Sequence, residues 1–458
     1  MNREKFDLNY YKLFLLIIFF FVKFYYNKNI KLYNSEINKI YTNIQINLNL
    51  NFVKYLNNKI NIGIYSYCLK NGGRARLTSI LINYLYQIKI FNIYLFTKVE
   101  KQDNEYLIPK DVKRAVIGNN LNKIFSKNKI DILIYNLYND SEINKLNHRK
   151  KPIIIYYQHS SFFYFLYYNY TSFLSLYKEY QNSKYVVSLV PFENNYIFKY
   201  WGINSILMTN FITYEYNLVI PSNLMAKIIL MIGRGNNKLK RFILGINSME
   251  YIIKEISLCE MKIISNINGI YDLQNIIYNL NLENQIKFFG YTLTPDINFK
   301  NSSLHIFPTI SESFGLVLSE TKIYGIPNIL VGLDYVQISK GGTIIIYDDS
   351  PESIAKESIK ILNNENYRKF LGKEARNSMK KFNNELLFYK WIKLILSIYH
   401  GENYYNEMKK QEKKIDIFQL EKILNNQIKL LKKRESNFYN ISVNQILNFS
   451  ILYKYKKI

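Results

Sequence analysis

Cysteine and histidine are scarce in this chain, and their scarcity excludes two kinds of structural framework. The 458 residues contain two cysteines and four histidines. Cys68 and Cys259 lie in separate halves of the sequence and do not indicate a disulfide framework, which needs several cysteines. No close Cys/His spacing of the kind that binds zinc occurs either. An ordinary apolar core must hold the protein together, and a hydrophobic content of 48% is ample for it.

A hydrophobic run of full membrane-spanning length is also missing. The apolar segment from Leu13 to Val22 is flanked by lysine on both sides, whereas a spanning helix needs about 20 such residues. Counting from Tyr10 to Tyr26, with lysines that snorkel to the interface, gives a marginal span. We expect a signal anchor, with a cleaved signal peptide or a packed helix as alternatives. The expected location is the membrane of the endoplasmic reticulum or Golgi, with the cytoplasm as the alternative.

Acidic residues are too few to balance the basic ones, and the formal net charge is +26. Such an excess can favour nucleic acid, an anionic membrane or an anionic ligand. The lysines are dispersed through predicted helices, and no basic cluster is interleaved with aromatic residues as in modules that read RNA or DNA. The charge therefore predicts a solvated basic surface and no nucleic-acid partner.

Apolar strands and helical segments alternate over most of the chain. Strands are predicted at 61–65, 93–96, 130–135, 152–157 and 185–190, and again at 227–232, 261–265, 285–289 and 303–307. Continuous apolar strands between helices indicate parallel sheets covered on both faces. We predict an α/β fold with two Rossmann-like domains, residues 57–221 and 222–384. A hydrophobic segment with a polar stalk precedes them (1–56), and a helix with a basic helical tail follows (385–458).

Two glutamates form the most informative motif. Glu312 and Glu320 enclose Phe314-Gly315-Leu316, where a strand is expected to end and a helix to open. Unpaired backbone N–H groups and the positive end of the helix dipole would then face one point, which suits a phosphate. A carboxylate on each side of a phosphate suits the hydroxyl groups of a nucleotide diphosphate-sugar.

This pair resembles the glutamates of the family-4 retaining glycosyltransferases, which have the two-domain GT-B fold. The resemblance extends over roughly residues 60–400. It implies that Glu312 holds hydroxyl groups of the donor sugar and that Glu320 holds the ribose. It also implies that backbone groups of Phe314, Gly315 and Leu316 contact the donor, and that the two domains face each other across a cleft.

A glycine-rich loop after the first predicted strand extends the resemblance. Glycines at Gly72 and Gly73 let backbone N–H groups approach a phosphate without obstruction. With Arg76 they match the family's Gly-Gly-x-x-Arg loop, so all three are implied to bind the donor. The loop lacks the full six-residue dinucleotide fingerprint, which argues against a nicotinamide cofactor.

Basic residues after the first strand of the second domain match a further element of the family. The family places an arginine there and a lysine several residues later, both on the donor diphosphate. Arg234 matches the arginine, and the lysine is Lys240 or Lys238, of which we favour Lys240. His159 ends an apolar strand of the first domain. The resemblance implies that it touches the donor sugar, and the alternative is a satisfied structural histidine.

The resemblance implies a retaining glycosyltransferase that needs neither a metal nor a cofactor. It would transfer a hexosyl unit from a UDP- or GDP-sugar to a glycan, a lipid-linked sugar or a protein. Fixed cations such as Arg234 can stabilise the departing diphosphate. Asp348-Asp349 precedes Ser350-Pro351, so we expect helix capping there and not a metal site. The alternative function is a catalytically silent, membrane-tethered protein that binds nucleotide-sugars or glycans.

Two expectations concern the C-terminal part. By the resemblance, the helical run 386–399, which contains Trp391, crosses back to the first domain. Beyond it, an apolar stripe is expected to dock on the body of the protein, with membrane or partner contact as the alternative. The stripe consists of Ile417, Leu420, Leu424, Ile428 and Leu431.

Overall fold

The computed structural model describes most of the chain from residue 59 onward. The described residues are 59–70, 72–117, 121–136, 152–168, 170–234, 237–266, 270–290, 292, 295–401, 404–411, 417–434 and 446. The predicted membrane anchor and polar stalk lie outside them. Among the described helices, none combines the length and the apolar character that crossing a membrane requires.

The first sheet contains seven strands within the described residues, all parallel, in the order β3-β2-β1-β4-β5-β6-β7. The strands are β1 (Ile60–Ser66), β2 (Phe91–Thr97), β3 (Lys113–Val116), β4 (Ile132–Tyr135), β5 (Ile153–Tyr157), β6 (Tyr185–Ser188) and β7 (Ser205–Leu207). The helices of this domain are α1 (Gly72–Tyr86), α2 (Leu121–Lys127), α3 (Phe162–Tyr168), α4 (Tyr170–Gln181) and α5 (Pro191–Trp201).

The second sheet repeats this order with six described strands, β10-β9-β8-β11-β12-β13, again all parallel. The strands are β8 (Ile228–Ile232), β9 (Glu260–Ile264), β10 (Ile286–Phe289), β11 (Leu304–Phe307), β12 (Asn328–Val331) and β13 (Thr343–Ile346). The helices are α6 (Asn237–Lys240), α7 (Phe242–Glu255), α8 (Ile270–Asn279), α9 (Asp296–Phe299), α10 (Leu316–Ile323), α11 (Pro351–Asn363) and α12 (Glu365–Met379).

The predicted α/β fold with two Rossmann-like sheets is confirmed. Central strands such as β4 and β11 are buried along their whole length, because helices cover both faces of each sheet. Four strands escaped the sequence analysis, namely β3, β7, β12 and β13. Each has three or four residues.

The strand order places a topological switch point in each sheet. β1 pairs with β2 on one side and with β4 on the other, and β8 is placed likewise between β9 and β11. Ligands of open α/β sheets bind where the carboxyl ends of such diverging strands leave a crevice. Both crevices are lined by the loops that the sequence analysis singled out, after β1 and after β8.

Side chains of the second domain fix the connection between the sheets. The guanidinium of Arg376 on α12 donates to the carbonyl oxygens of Tyr216 and Val219, at 2.8 and 2.7 Å. The amide of Gln337 donates to the carbonyls of Leu189 and Met208 in the first domain, at 2.6 and 2.8 Å. The two domains therefore meet through directed hydrogen bonds to main-chain carbonyls as well as through apolar packing.

A long helix, α13 (Asn384–His400), returns to the first domain. Asn383 caps its N-terminus and Gly401, in the left-handed conformation, ends it. Trp391 on this helix is fully buried and packs edge-on against Tyr157 of the first sheet, with 5.0 Å between ring centroids. The helix thus packs on the first domain through Trp391.

The tail forms α14 (Tyr404–Gln411) and α15 (Ile417–Arg434), and its apolar stripe docks on the body. Leu420, Leu424 and Leu431 are buried. The amide of Gln427 donates to the carbonyl oxygen of Gly332 in the second domain. The expectation of docking is confirmed for these residues, since they pack on the body of this chain.

We predict that Leu424→Ala lowers the free energy of unfolding by about 2–5 kcal/mol, because it leaves a cavity under α15. Leu424 is 1% exposed, and Phe418 on the same helix is 78% exposed. The matched control Phe418→Ala should change stability by less than about 0.5 kcal/mol. Urea unfolding of both variants tests this, and equal effects would contradict docking through the apolar stripe.

Candidate active site

Loops from the two domains touch at the carboxyl ends of β1 and β8. Gly72 has a φ of +85°, and a Cβ at this position would lie 3.7 Å from the guanidinium of Arg234. A Cβ at Gly73 would lie 2.9 Å from Cδ1 of Leu316. Glycine is needed at both positions, for the left-handed backbone and for the close approach. The structure thus brings the predicted loop of the first domain against the predicted motif of the second.

An ion pair joins the domains at this contact. Arg76 on α1 donates to the carboxylate of Glu320 on α10 across 2.8 Å, and the Glu320 side chain is 3% exposed. Burial by itself lowers the pKa of Arg76, but the charge of Glu320 and the interaction with Tyr214 leave that pKa raised. The carboxylate implied to hold the ribose is therefore paired with a first-domain cation when no donor is bound.

A second ion pair lies beside the first, within the second domain. The ammonium group of Lys240 contacts Oε1 of Glu312 and sits 5.1 Å from the centroid of the Phe307 ring. Both side chains are about one-fifth exposed, so a ligand can reach them. Lys238 is exposed on the same short helix, and the contact with Glu312 favours Lys240 as the lysine of the site.

The start of α10 supplies backbone donors next to these charges. Gly315, with a φ of +81°, is its N-cap, so the first N–H groups of the helix have no partner within the preceding turn. Phe314 is fully buried and packs against Phe382, so its side chain belongs to the core and does not face a ligand. Glycine at position 315 permits the sharp turn from β11 into the helix.

His159 lies at the end of β5, beside a small buried cavity. Its ring packs on Tyr157 with 4.1 Å between centroids, and its Nε2 is buried without a hydrogen-bond partner in the described part of the chain. Burial and the nearby charge of Arg74 hold the pKa of His159 well below 6.5. The imidazole is therefore neutral near pH 7. The main-chain carbonyl oxygen of His159 accepts a hydrogen bond of 2.7 Å from Ser313 Oγ.

The acidic pair at 348–349 has structural roles. Asp348 accepts hydrogen bonds from Ser350 and Ser353, and Ser350 is the N-cap of α11. Asp349 pairs with Arg241, at 2.7 Å, and with Arg434 of the tail. No group of three potential metal ligands occurs among the residues that the structure describes.

Several residues of the site were missed by the sequence analysis. Tyr214 interacts electrostatically with Arg76, and the hydroxyl of Tyr335 accepts the N–H of Glu312 at 3.2 Å. Arg74 lines the cavity beside His159. In a chain with 43 tyrosines, no local signal in the sequence distinguishes Tyr214 and Tyr335. Arg74 lies within the matched loop, but it does not occupy one of the positions that the family pattern specifies.

Taken together, the site contains more positive than negative charge. Arg76 and Lys240 pair with the carboxylates of Glu320 and Glu312, Arg234 lies against Gly72, and the N-terminus of α10 adds to the positive side. An anionic diphosphate would offset this excess, and the carboxylates could then accept hydrogen bonds from sugar hydroxyls.

Comparison with protein families agrees with this chemistry. Residues 218–378 match the family described as glycosyl transferases group 1. The match covers the second sheet from before β8 to the end of α12, and it includes Arg234, Lys240, Glu312 and Glu320. No curated protein sequence matches the chain.

Solved glycosyltransferase structures share the two-domain fold. Sucrose-phosphate synthase from Thermosynechococcus elongatus has a TM-score of 0.63 and 15% identity, over 75% of this chain and 100% of the other. HepE from Anabaena, in complex with UDP and glucose, has a TM-score of 0.59 and 13% identity, over 73% and 99%. TarM from S. aureus, in a complex that contains UDP, has a TM-score of 0.59 and 14% identity, over 74% and 99%. At such identities the likeness establishes the fold, which is the predicted GT-B arrangement.

We predict that His159, whose Nε2 is buried and whose pKa is held well below 6.5, makes the protein less stable in acid. Below its ordinary pKa of 6.5, the unfolded chain takes up a proton that the folded chain does not, so stability falls as the pH falls. The loss of unfolding free energy between about pH 7 and pH 5 should be smaller in His159→Gln than in the wild type. The control is His400→Gln, because His400 is exposed, and this variant should lose as much stability as the wild type. If His159→Gln also loses as much unfolding free energy as the wild type, His159 is not held neutral in the folded protein.

Proposed function

We propose that this protein is a glycosyltransferase that moves a hexosyl unit from a nucleotide diphosphate-sugar to an acceptor hydroxyl. The observation that carries the proposal is the meeting of two ion pairs, Arg76–Glu320 and Lys240–Glu312, at a helix N-terminus beside Arg234. The family match over this region and the shared fold support the same class of reaction.

In this proposal the donor diphosphate replaces the carboxylates as partner of the cations. Lys240, Arg234 and Arg76 bind the diphosphate, and the first N–H groups of α10 donate to the same oxygens. Glu312 and Glu320 are then released to accept hydrogen bonds from the hexose and the ribose. Because each charged group exchanges one partner for another, none is left buried and unpaired when the donor binds.

The chemical step needs stabilisation of the leaving nucleoside diphosphate. Arg234, Lys240 and the helix N-terminus are fixed before the reaction, so they stabilise the developing charge without rearrangement. These cations take the part that a divalent metal plays in other transferases, and we propose that the reaction is metal-independent. We further propose retention of configuration, with the acceptor attacking from the face of the leaving group.

UDP-sugars are the first donors to test. UDP is present in the complexes of HepE and TarM named above, and GDP-sugars are the second choice. We propose a glycan, a lipid-linked sugar or a protein as the acceptor.

We predict that one donor of a panel of UDP- and GDP-sugars releases its nucleotide in the presence of the protein and of an acceptor mixture. Glu312→Gln should lower this release by about 100-fold, because the donor sugar is no longer oriented for transfer. Glu250→Gln is the matched control, since Glu250 forms an ion pair with Lys254 on the surface of α7. Release is expected to be unaffected by EDTA.

Three results would count against the proposal. Release that is equal in Glu312→Gln and in Glu250→Gln would remove Glu312 from the site. Release abolished by EDTA would overturn metal independence. Nucleotide-sugar binding without release from any donor, whatever the acceptor, would favour a catalytically silent binding protein.

A further inference from the structure

A buried carboxyl group in the first domain plays no part in the function proposed above. Glu193, in the first turn of α5, is 0% exposed. It accepts hydrogen bonds from the N–H of Phe162 (2.8 Å), from Ser161 Oγ (2.5 Å) and from the amide of Gln158. Burial raises the pKa of Glu193 to about 8. Burying a carboxyl group is costly unless hydrogen bonds compensate it. Here three hydrogen-bond donors converge on the one carboxyl group, so Glu193 fixes the residues that carry them.

The donors belong to the segment that leaves the end of β5. This segment, residues 158–162, contains His159 and leads into α3. Glu193 holds it at Gln158, at Ser161 and at Phe162, so its conformation is fixed on both sides of His159. Glu193 therefore positions the part of the first domain that faces the second.

The same segment leads into a contact with Tyr335 of the second domain. The ring of Tyr335 packs on Phe163, the residue that follows the segment, with 4.8 Å between centroids. Tyr335 is 4% exposed. Its position therefore depends on packing against the first domain.

Tyr335 carries the connection to the candidate catalytic loop. Its hydroxyl accepts the backbone N–H of Glu312 at 3.2 Å. On the other side of Glu312, Ser313 Oγ donates to the carbonyl oxygen of His159 at 2.7 Å. The residues that flank the Glu312 side chain are thus held by the same segment of the first domain.

We propose that Glu193, Ser313 and Tyr335 form a positioning relay that orients Glu312 when the two domains are closed. The inference rests on the proposed function, in which Glu312 holds the donor sugar. All three are positioning residues, because they act through the main chain of Glu312 and not on the substrate. The relay makes the orientation of Glu312 depend on the first domain, so the donor sugar is held for transfer only in the closed arrangement.

The Tyr335→Phe variant of the full chain tests the relay, because it keeps the ring and removes only the hydroxyl group. Amide hydrogen exchange in the peptide 309–315 should become at least about fivefold faster, since the N–H of Glu312 loses its acceptor. For the active donor, kcat should fall about tenfold with KM within about twofold, as expected when an interaction needed in the transition state is lost.

Two further variants and one control complete the experiment. Ser313→Ala should change exchange and kcat in the same direction, and the double variant should be less than additive, because both residues hold the same loop around Glu312. Tyr347→Phe is the control, since Tyr347 donates to Asp334 at 2.9 Å and has no role in the site. It should match the wild type in both measurements.

The outcomes separate this inference from the proposed function. Wild-type exchange in Tyr335→Phe, or faster exchange with unchanged kcat, would overturn the relay. Faster exchange throughout the protein would indicate a purely structural role and would also overturn it. A wild-type protein that acts on no donor would overturn the proposed function and with it the catalytic role of the relay, while the exchange data would still report whether Tyr335 orders the loop.

Discussion

The pairing of opposite charges where the two domains meet is the constraint on which the site depends. The carboxylate of Glu320 is 3% exposed and is paired with Arg76 of the other domain. Removing one partner of a buried pair leaves an uncompensated charge, at a cost of about 3–5 kcal/mol. A ligand that separates the pair must therefore offer both an anion for the arginine and hydrogen-bond donors for the carboxylate. A nucleotide diphosphate-sugar combines the two, which ties the fold, the interface and the proposed chemistry together.

The repeated architecture explains why these charges converge. Both sheets have the same strand order around a switch point, so each domain carries loops with free backbone donors at one edge of its sheet. The helices α13 and α15 add contacts to the two domains. Trp391 packs on the first sheet and Gln427 bonds to the second domain.

Local patterns in the sequence were enough to predict the fold and to locate the loops of the site. Apolar runs predicted the longer strands, and the glycines of the Gly72 loop and of Gly315 predicted where helices begin beside the site. The matched residues lie in one region. Lys240 was favoured over Lys238 on position alone, and in the structure Lys240 contacts Glu312.

Long-range contacts escaped the sequence analysis because no spacing encodes them. The Arg76–Glu320 pair joins residues 244 positions apart, and the hydrogen bonds of Glu193, Ser313 and Tyr335 connect segments that are far apart in the sequence. Each of these residues belongs to a common type that occurs throughout the chain. Asp349 is a further long-range case. The sequence indicated helix capping there, and the structure pairs Asp349 with Arg241 and Arg434.

The most direct test of the central claim is calorimetric titration of UDP and GDP into the full chain, with Arg234→Ala and Lys254→Ala as a matched pair. Arg234 faces Gly72 in the site, whereas Lys254 lies on the surface of α7. The account predicts that one nucleotide binds, that Arg234→Ala weakens binding at least about tenfold, and that Lys254→Ala leaves it unchanged. A protein that binds neither nucleotide, or binds one equally well without Arg234, would contradict a diphosphate site between these domains.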